Sequence, residues 1–460
     1  MPKKSLGCLV FGLLVVSQIG GQAPPAQNAE KSPEKPAEKP AIDPATQRLI
    51  DQLADLDYRK RDEAARRLEA MGEKALPALR AACKHADPEV RRRAADLLGP
   101  IEFATALAPK RVTLTAEGKT ASEVLDAISK QTGYKFLFTG GAPKAGKADD
   151  HFDFRWTDAP FWEAVDEVCR AAGLSVQQSF GDAQIRLQAQ GRYAPYVCQA
   201  GAFCLAAGGF QQTRTVDFSS FPREHPEVGR WDELIFAYTV HSEPRLPLLS
   251  LGEPHLIAAY DDEGNCMIPQ TVAARADQPN PQLFGYRPGR YYSGGNRMLT
   301  LSGQMNLVRP SPKAGAVKLL RGTVPVTVLV EQRPEVVTEH LADAKGKKLR
   351  AGTATFAVEE VSETPTKQVQ VHLSITEEAS TGTAPNDFTW INSLWTRLEV
   401  YDEKGNRLAH QAGSTSVTGS NHANMTLTYA AGAKPAKLVY QVWTTLSAQV
   451  PFEFKGLPLP

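Results

Sequence analysis

Apolar residues along this chain change their spacing twice. From Leu49 to Leu98 they recur at intervals of three and four: Leu49, Ile50, Leu53 and Leu56, then Ala64, Ala65, Leu68 and Met71, then Leu76, Leu79 and Cys83, then Val90, Ala94, Leu97 and Leu98. That period puts each group on one stripe of a helix and predicts four helices. Asp43-Pro44 and Asp87-Pro88 each offer a capping side chain followed by proline at the first helical position, and Gly72 supplies a stop. Between Arg111 and Leu187 the pattern is written twice with an offset of forty. Val112 and Leu114 fall on Phe152 and Phe154, while Ala121, Val124, Leu125 and Ile128 fall on Phe161, Ala164, Val165 and Val168. Each copy reads as strand, helix, strand, so two β-α-β halves are expected to share one sheet, with Thr120 to Glu123 as a capping box for the first helix. After Gln190 the residues alternate with frequent Gly and Pro, which predicts sandwich or barrel domains.

The ends and the composition add a compartment. Lys3 and Lys4, the apolar run Leu6 to Val16, and the small residues Gly20, Gly21 and Ala23 have the order of a secretory signal peptide over 1–23. The run is too short to span a bilayer, so no integral span is expected after cleavage. Cys8 begins this run instead of closing it and leaves with the leader. Residues 24–42 are almost entirely Pro, Ala, Glu, Lys, Gln and Ser, too poor in apolar area to offset the entropy of ordering, and read as a disordered linker. The chain is therefore expected to be exported, periplasmic or extracellular. At 460 residues it should hold three or four domains, and a formal net charge of +1 gives no reason to expect nucleic acid. Of the five remaining cysteines, Cys83 and Cys169 lie on apolar helix faces, and Cys266 has no evident mate. Cys198 and Cys204 flank a short turn, and in an exported chain they are the candidate disulfide.

Three stretches resemble known families. Arg61-Asp62-Glu63-Ala64-Ala65, Gly72, Ala75-Leu76-Pro77-Ala78-Leu79 and Asp87-Pro88-Glu89-Val90-Arg91-Arg92-Arg93-Ala94 resemble HEAT repeats over 43–104. Leu125 to Tyr134, Trp162-Glu163-Ala164-Val165 and Ala171-Ala172-Gly173-Leu174 resemble the short N-terminal domain of secretins and TonB-dependent receptors over 110–190. That resemblance implies a periplasmic module that contacts other proteins and carries no catalytic residue. Ala259-Tyr260-Asp261-Asp262-Glu263-Gly264-Asn265 matches Val400-Tyr401-Asp402-Glu403-Lys404-Gly405-Asn406. Met298 to Leu301 matches Met425 to Thr428, and Val317 to Leu320 matches Lys437 to Tyr440, so 193–332 and 333–460 look like two copies of an immunoglobulin-like β-sandwich. The expected fold class is multidomain: an all-α HEAT-like block, then α+β, then two all-β sandwiches.

Candidate chemistry is sparse. Arg91-Arg92-Arg93 with Arg59, Lys60 and Arg61 is interleaved with acids and reads as a salt-bridged helix face. Trp156, Phe161 and Trp162 read as core filling, with an exposed aromatic lip as the alternative. Asp261-Asp262-Glu263 and Asp402-Glu403 lack calcium-loop spacing and read as hairpin turns. The first sandwich has a longer loop containing Tyr286, Arg287, Arg290, Tyr291, Tyr292 and Asn296, and the second a long connection with Phe388 and Trp390. Tyr, Trp and Arg beside Gly, Ser and Asn are the mixture of adaptable binding loops, and these eight residues are the candidate contact positions. No nucleophile elbow, zinc motif or phosphate loop occurs, so no catalytic residue, cofactor or metal is expected. The sequence reads as a non-catalytic exported scaffold for proteins of the cell envelope, with recognition of a polysaccharide through the aromatic loops as the alternative.

Overall fold

The computed structural model describes residues 43–139, 151–177, 184–189, 194–216, 230–269, 293–378, 389–418 and 421–460. The leader and linker expected over 1–42 lie outside them. The first elements are helices α1 (Pro44–Gln52), α2 (Tyr58–Met71), α3 (Leu76–Ala82) and α4 (Pro88–Leu107). They bury Ile50, Leu53, Ala64, Leu68, Leu79, Val90 and Ala94 against one another. Gly72 ends α2 at φ 55°, and Asp87 caps α4 by accepting from the Glu89 amide at 2.8 Å. Asp43 makes no such bond, while Asp57 caps α2 through the Arg59 amide at 2.9 Å. Thirty positions apart, Arg61 and Arg91 do the same work. Each turns its guanidinium onto two carbonyls of the turn preceding its helix, Asp55 and Leu56 in one case, His85 and Ala86 in the other.

The next elements are β1 (Arg111–Thr120), α5 (Ala121–Thr132), β2 (Lys135–Thr139), β3 (His151–Pro160), α6 (Phe161–Ala172), β4 (Leu174–Gln177) and β5 (Gln184–Ala189). They form two sheets, where the sequence pointed to one. β1 pairs with β3, and β2, β5 and β4 form a second sheet in that order. The reason lies in α6, which buries Phe161, Trp162, Ala164, Val165, Val168, Cys169 and Ala172. A face that broad exceeds what one small sheet covers. Trp156, Phe161 and Trp162 are all buried, so the aromatic cluster fills the core.

The remaining strands are β6 (Val197–Ala200), β7 (Phe203–Val216), β8 (Arg230–Ser242), β9 (Leu248–Leu251), β10 (His255–Asp261), β11 (Ser293–Met298), β12 (Thr300–Leu307) and β13 (Ala316–Thr338). They are followed by β14 (Lys348–Ala351), β15 (Ala354–Glu363), β16 (Gln368–Glu377), helix α7 (Thr389–Arg397), β17 (Leu398–Tyr401), β18 (Arg407–Leu408), β19 (Ala412–Val417), β20 (His422–Ala431) and β21 (Lys437–Pro458). One sheet runs β12-β8-β7-β6, another β14-β15-β16-β20-β19, and a third β11-β9-β13-β21-β17-β18 with β10 also on β13. The third sheet backs both of the others. β13 pairs with β21 from Ala316↔Pro458 to Thr338↔Leu438. Val317 to Val328 of β13 and Val450 to Leu457 of β21 contribute to the first core; Val337, Leu438 and Tyr440 reach the second. The boundary expected between 332 and 333 thus falls inside one unbroken strand, and the end of the chain belongs to the first sandwich. Burial alternates regularly only along 446–455; from Leu438 to Thr445 the alternation is broken, where the strand passes from one core to the other.

The repeated turns are built alike. Asp261 accepts from the Asn265 amide and side chain at 2.7 and 2.9 Å, and Asp402 from those of Asn406 at 2.8 and 3.0 Å. Gly264 and Gly405 supply positive φ between them. Gly322 is required for a different reason: a Cβ there would stand 2.3 Å from the His255 carbonyl and 3.0 Å from the Phe452 ring. Gly322→Ala is expected to cost about 3 kcal/mol, because a backbone oxygen held in the β10–β13 ladder cannot retreat as a flexible side chain would. Urea denaturation monitored by intrinsic fluorescence measures it, and a loss below about 1 kcal/mol contradicts the close approach.

Candidate functional site

The helical block meets the β body at one end only. α1, α2 and α3 pack on each other and on α4, and make no extensive contact with any described strand. The carbonyl of Leu107, at the end of α4, accepts from the Ala202 amide at 3.1 Å. Charges on this block are mostly paired: Arg66 with Asp62, Arg67 with Glu63, Arg80 with Glu102, and Arg92 and Arg93 with Glu89. Hydrogen bonds from Arg92 and Arg93 hold the Glu89 carboxyl down to about 2. The basic triplet is thus a salt-bridged face. The turn between α1 and α2 departs from this pattern. Leu56 is 99% exposed and Tyr58 65% exposed, where the equivalent turn between α3 and α4 carries Ala86 and Pro88. A large apolar pair stands in solvent at the tip of this turn, where the sister repeat has small residues.

Among the candidate loop positions, Tyr286, Arg287, Arg290, Tyr291, Tyr292 and Phe388 lie outside the described residues, and Asn296 is placed in β11 by its backbone alone. Trp390 lies on α7, a two-turn helix within what read as a loop. Its ring packs on the second core and its Nε1 donates to the Tyr440 hydroxyl at 3.3 Å. The indole expected to face a ligand is turned inward. α7 packs alongside β11, so the described flanks of the two candidate loops meet. Arg397, at the end of α7, stacks its guanidinium 4.3 Å from the Tyr440 ring centre and donates to the Gln441 carbonyl at 2.9 Å.

Cys198 and Cys204 are both free thiols. The β6–β7 register sets Cys198 opposite Leu205 and Cys204 opposite Gln199, so the two side chains point to opposite faces of the sheet. Cys204 faces α6, and a cavity of about 450 Å³ opens there, between α6 and β4 on one side and β7, β8 and β12 on the other. Cys169, Cys204, His241, Ser302 and Asp166 are among its lining. Burial pushes the Cys169 thiol up to about 12 and Cys204 also upward, so both are protonated at neutral pH and neither is an activated nucleophile. Burial likewise lowers His241 to about 4, and its Nδ1 lies 3.1 Å from Thr300 Oγ1.

Beside this cavity the unit formed by α5, α6 and their two sheets is fastened to the first sandwich by Glu243, whose side chain is fully buried. Its carboxylate accepts from the Lys110 amide at 2.9 Å, the Tyr134 hydroxyl at 2.7 Å and Arg245 Nε at 3.1 Å. Trp162 Nε1 adds a bond to the Ala202 carbonyl at 3.1 Å, and Arg245 also donates to the Ala108 carbonyl. The modules are therefore fused at a buried polar joint instead of strung on linkers. Sequence reading missed Glu243. The signal was present as His241-Ser242-Glu243 interrupting an otherwise apolar stretch from Leu234 to Leu251.

Among the described residues no group of three or more His, Cys, Asp or Glu side chains is placed to hold a metal ion, and no helix is long and apolar enough to cross a membrane. No curated protein and no solved structure matches the chain. Residues 46–112 match the family model of the HEAT repeats, which identifies α1 to α4 as a HEAT-repeat block, a kind of module that points to protein interaction.

Proposed function

We propose that this chain is an exported, non-catalytic docking protein that binds other proteins of the cell envelope through its HEAT-repeat block, with the β-α-β module and sandwiches as the rigid body that carries it. The observation that supports this most directly is the free standing of α1 to α3, with Leu56 and Tyr58 exposed at the tip of the first turn. Two repeats bury their own core yet leave their outer surfaces open, and an apolar pair in water there gains about 1.5–3 kcal/mol per side chain when a partner covers it. The turn itself is braced, because Arg61 holds its carbonyls and lies 5.8 Å over the Tyr58 ring. The inward turn of Trp390 gives no support to polysaccharide recognition.

Leu56→Glu/Tyr58→Ser in the full chain is expected to abolish co-purification of the envelope proteins that the unaltered chain retains, with circular dichroism unchanged because both positions are exposed. Retention of the same proteins by the variant, or capture of polysaccharide in place of protein, overturns the reading.

A further inference from the structure

The cavity between α6 and the first sandwich has a floor and a mouth. Residues two apart on a strand share a face, and across a sheet they stand in rows. The registers of β7, β8 and β12 place Cys204, His241 and Thr300 in one row of the cavity wall. Ala206, Thr239 and Ser302 form the next row, about 7 Å along the strands. All of the first row is buried. In the second, Ala206 and Thr239 are half-buried and Ser302 is exposed. Beyond it β7 bulges between Ala207 and Gly209, and the exposed Gly208 stands at the rim. The opposite wall presents Val165 of α6 with Leu174 and Val176 of β4. Because Glu243 fastens the unit carrying α6 to the sandwich, this space of about 450 Å³ is preformed, and it is of ligand size.

The chemistry of the lining narrows what can enter. Among the described residues that line the cavity there is Asp166 and neither lysine nor arginine. A carboxylate or phosphate would therefore lose its hydration with no cation to offset the loss. At the floor His241 is uncharged at neutral pH, since burial lowers it to about 4. Its Nδ1 lies 3.1 Å from Thr300 Oγ1. Its Nε2 has no hydrogen-bond partner among the described residues and is not sealed off, so it is open to the cavity. A hydroxyl both donates and accepts, and it completes the bonding of this ring whichever tautomer is present; a carbonyl or an ammonium serves only one.

We propose that this cavity binds an uncharged alcohol or phenol, its hydroxyl bonded to His241 Nε2 at the floor and its apolar body lying between Ala206 and the wall of Val165, Leu174 and Val176. Trp162, its ring centre 5.8 Å from that of His241, closes the floor beside the hydroxyl. Cys169 and Cys204, both protonated, serve there as small apolar side chains. The mouth at Ser302 and Gly208 gives the ligand its way in. This site uses none of the HEAT surface, so it stands or falls separately from the docking role.

The probes are para-propylphenol, para-propylbenzoate and propylbenzene, which differ only in the polar group. Calorimetric titration of the full chain at neutral pH is expected to give one site for the phenol, with a dissociation constant on the order of 100 µM. The benzoate and the hydrocarbon are expected to bind at least about tenfold more weakly. The ring-proton resonance of His241, identified by its loss in His241→Gln, is expected to shift as the phenol is added. Ala206→Phe puts a ring where the apolar body lies and is expected to abolish binding, with an unchanged circular dichroism spectrum showing that it is folded. Should that variant fail to fold, the smaller Ala206→Leu is expected to weaken binding about tenfold. No saturable binding of the phenol, benzoate binding as tightly as the phenol, saturation that leaves the His241 resonance in place, or full affinity in a folded Ala206 variant overturns the proposal.

Discussion

Glu243→Ala is expected to remove about 3–5 kcal/mol of stability from the unit formed by α5, α6 and their two sheets together with the first sandwich. The carboxylate is fully buried, and three donors converge on it from different parts of the chain: the Lys110 amide, the Tyr134 hydroxyl and Arg245. Truncation leaves Tyr134 and Lys110 without an acceptor in a dry joint, and an orphaned buried donor costs about 1–3 kcal/mol. Arg245 is 29% exposed and turns to water at little cost. Burial first, and the Glu243 charge second, push the Tyr134 hydroxyl upward, so it remains a donor at every accessible pH. Tyr134→Phe removes one charge-assisted bond and should cost about 1.5–3 kcal/mol. The two losses should not add, since the second substitution has no bond left to break. Urea denaturation of the single and double variants reads all three values. A Glu243→Ala loss below about 1 kcal/mol would show that the joint is held by packing alone.

What the sequence disclosed and what it withheld divide by range of interaction. Helical stripes from Ile50 to Ala94 and the capping box at Thr120 and Glu123 depend on neighbours three or four residues away, and they stand where the spacing put them, except Leu56, which the spacing set on the first stripe and the structure leaves exposed in the turn after α1. The Asp261 and Asp402 turns are equally local, so the duplication of 259–265 in 400–406 was legible, down to the Asn that each Asp holds. Partners distant in sequence left no such mark. β1 pairs with β3 and β2 with β5 because α5 and α6 need cover on two sides, a requirement visible only once their apolar faces are assembled. The β13–β21 spine joins 316 to 458, and the break in alternation from Leu438 to Thr445 does not say which core each half of the strand serves. Cys198 and Cys204 looked like neighbours because both flank a turn, yet a displacement of one residue in register puts their side chains on opposite faces. α7 was hidden by its residues: Thr, Trp, Asn and Ser are indifferent helix formers, and two turns of them inside a β-rich stretch give no period.

The same joint is expected to weaken in mild acid, with His241 as the cause. The ring is buried under α6, its centre 5.8 Å from that of Trp162, and desolvation lowers its pKa to about 4 from an ordinary value near 6.5. Between those values the unfolded chain carries a proton that the folded chain does not, so the folded state loses stability as pH falls from about 6.5 and has lost the full amount near 4. A depression of that size corresponds to about 3 kcal/mol. His410, half-buried and also lowered by burial, works in the same direction in the second sandwich. The exposed carboxylates lowered by their partners, such as Glu89, Glu123 and Asp402, add their loss only at lower pH, below the usual carboxylate range near 4.5. Protonating His241 leaves an unpaired cation between Thr300 and the Trp162 ring, so the charge is relieved by separating α6 from the sheet. His241→Gln keeps a group able to bond Thr300 Oγ1 but has no proton to gain. Its stability, measured by urea denaturation at intervals from pH 7 to pH 4.5, is expected to stay nearly level where that of the unaltered chain falls by about 2 kcal/mol or more. Parallel curves for the two proteins would assign the acid sensitivity to other groups and remove His241 from the joint's account.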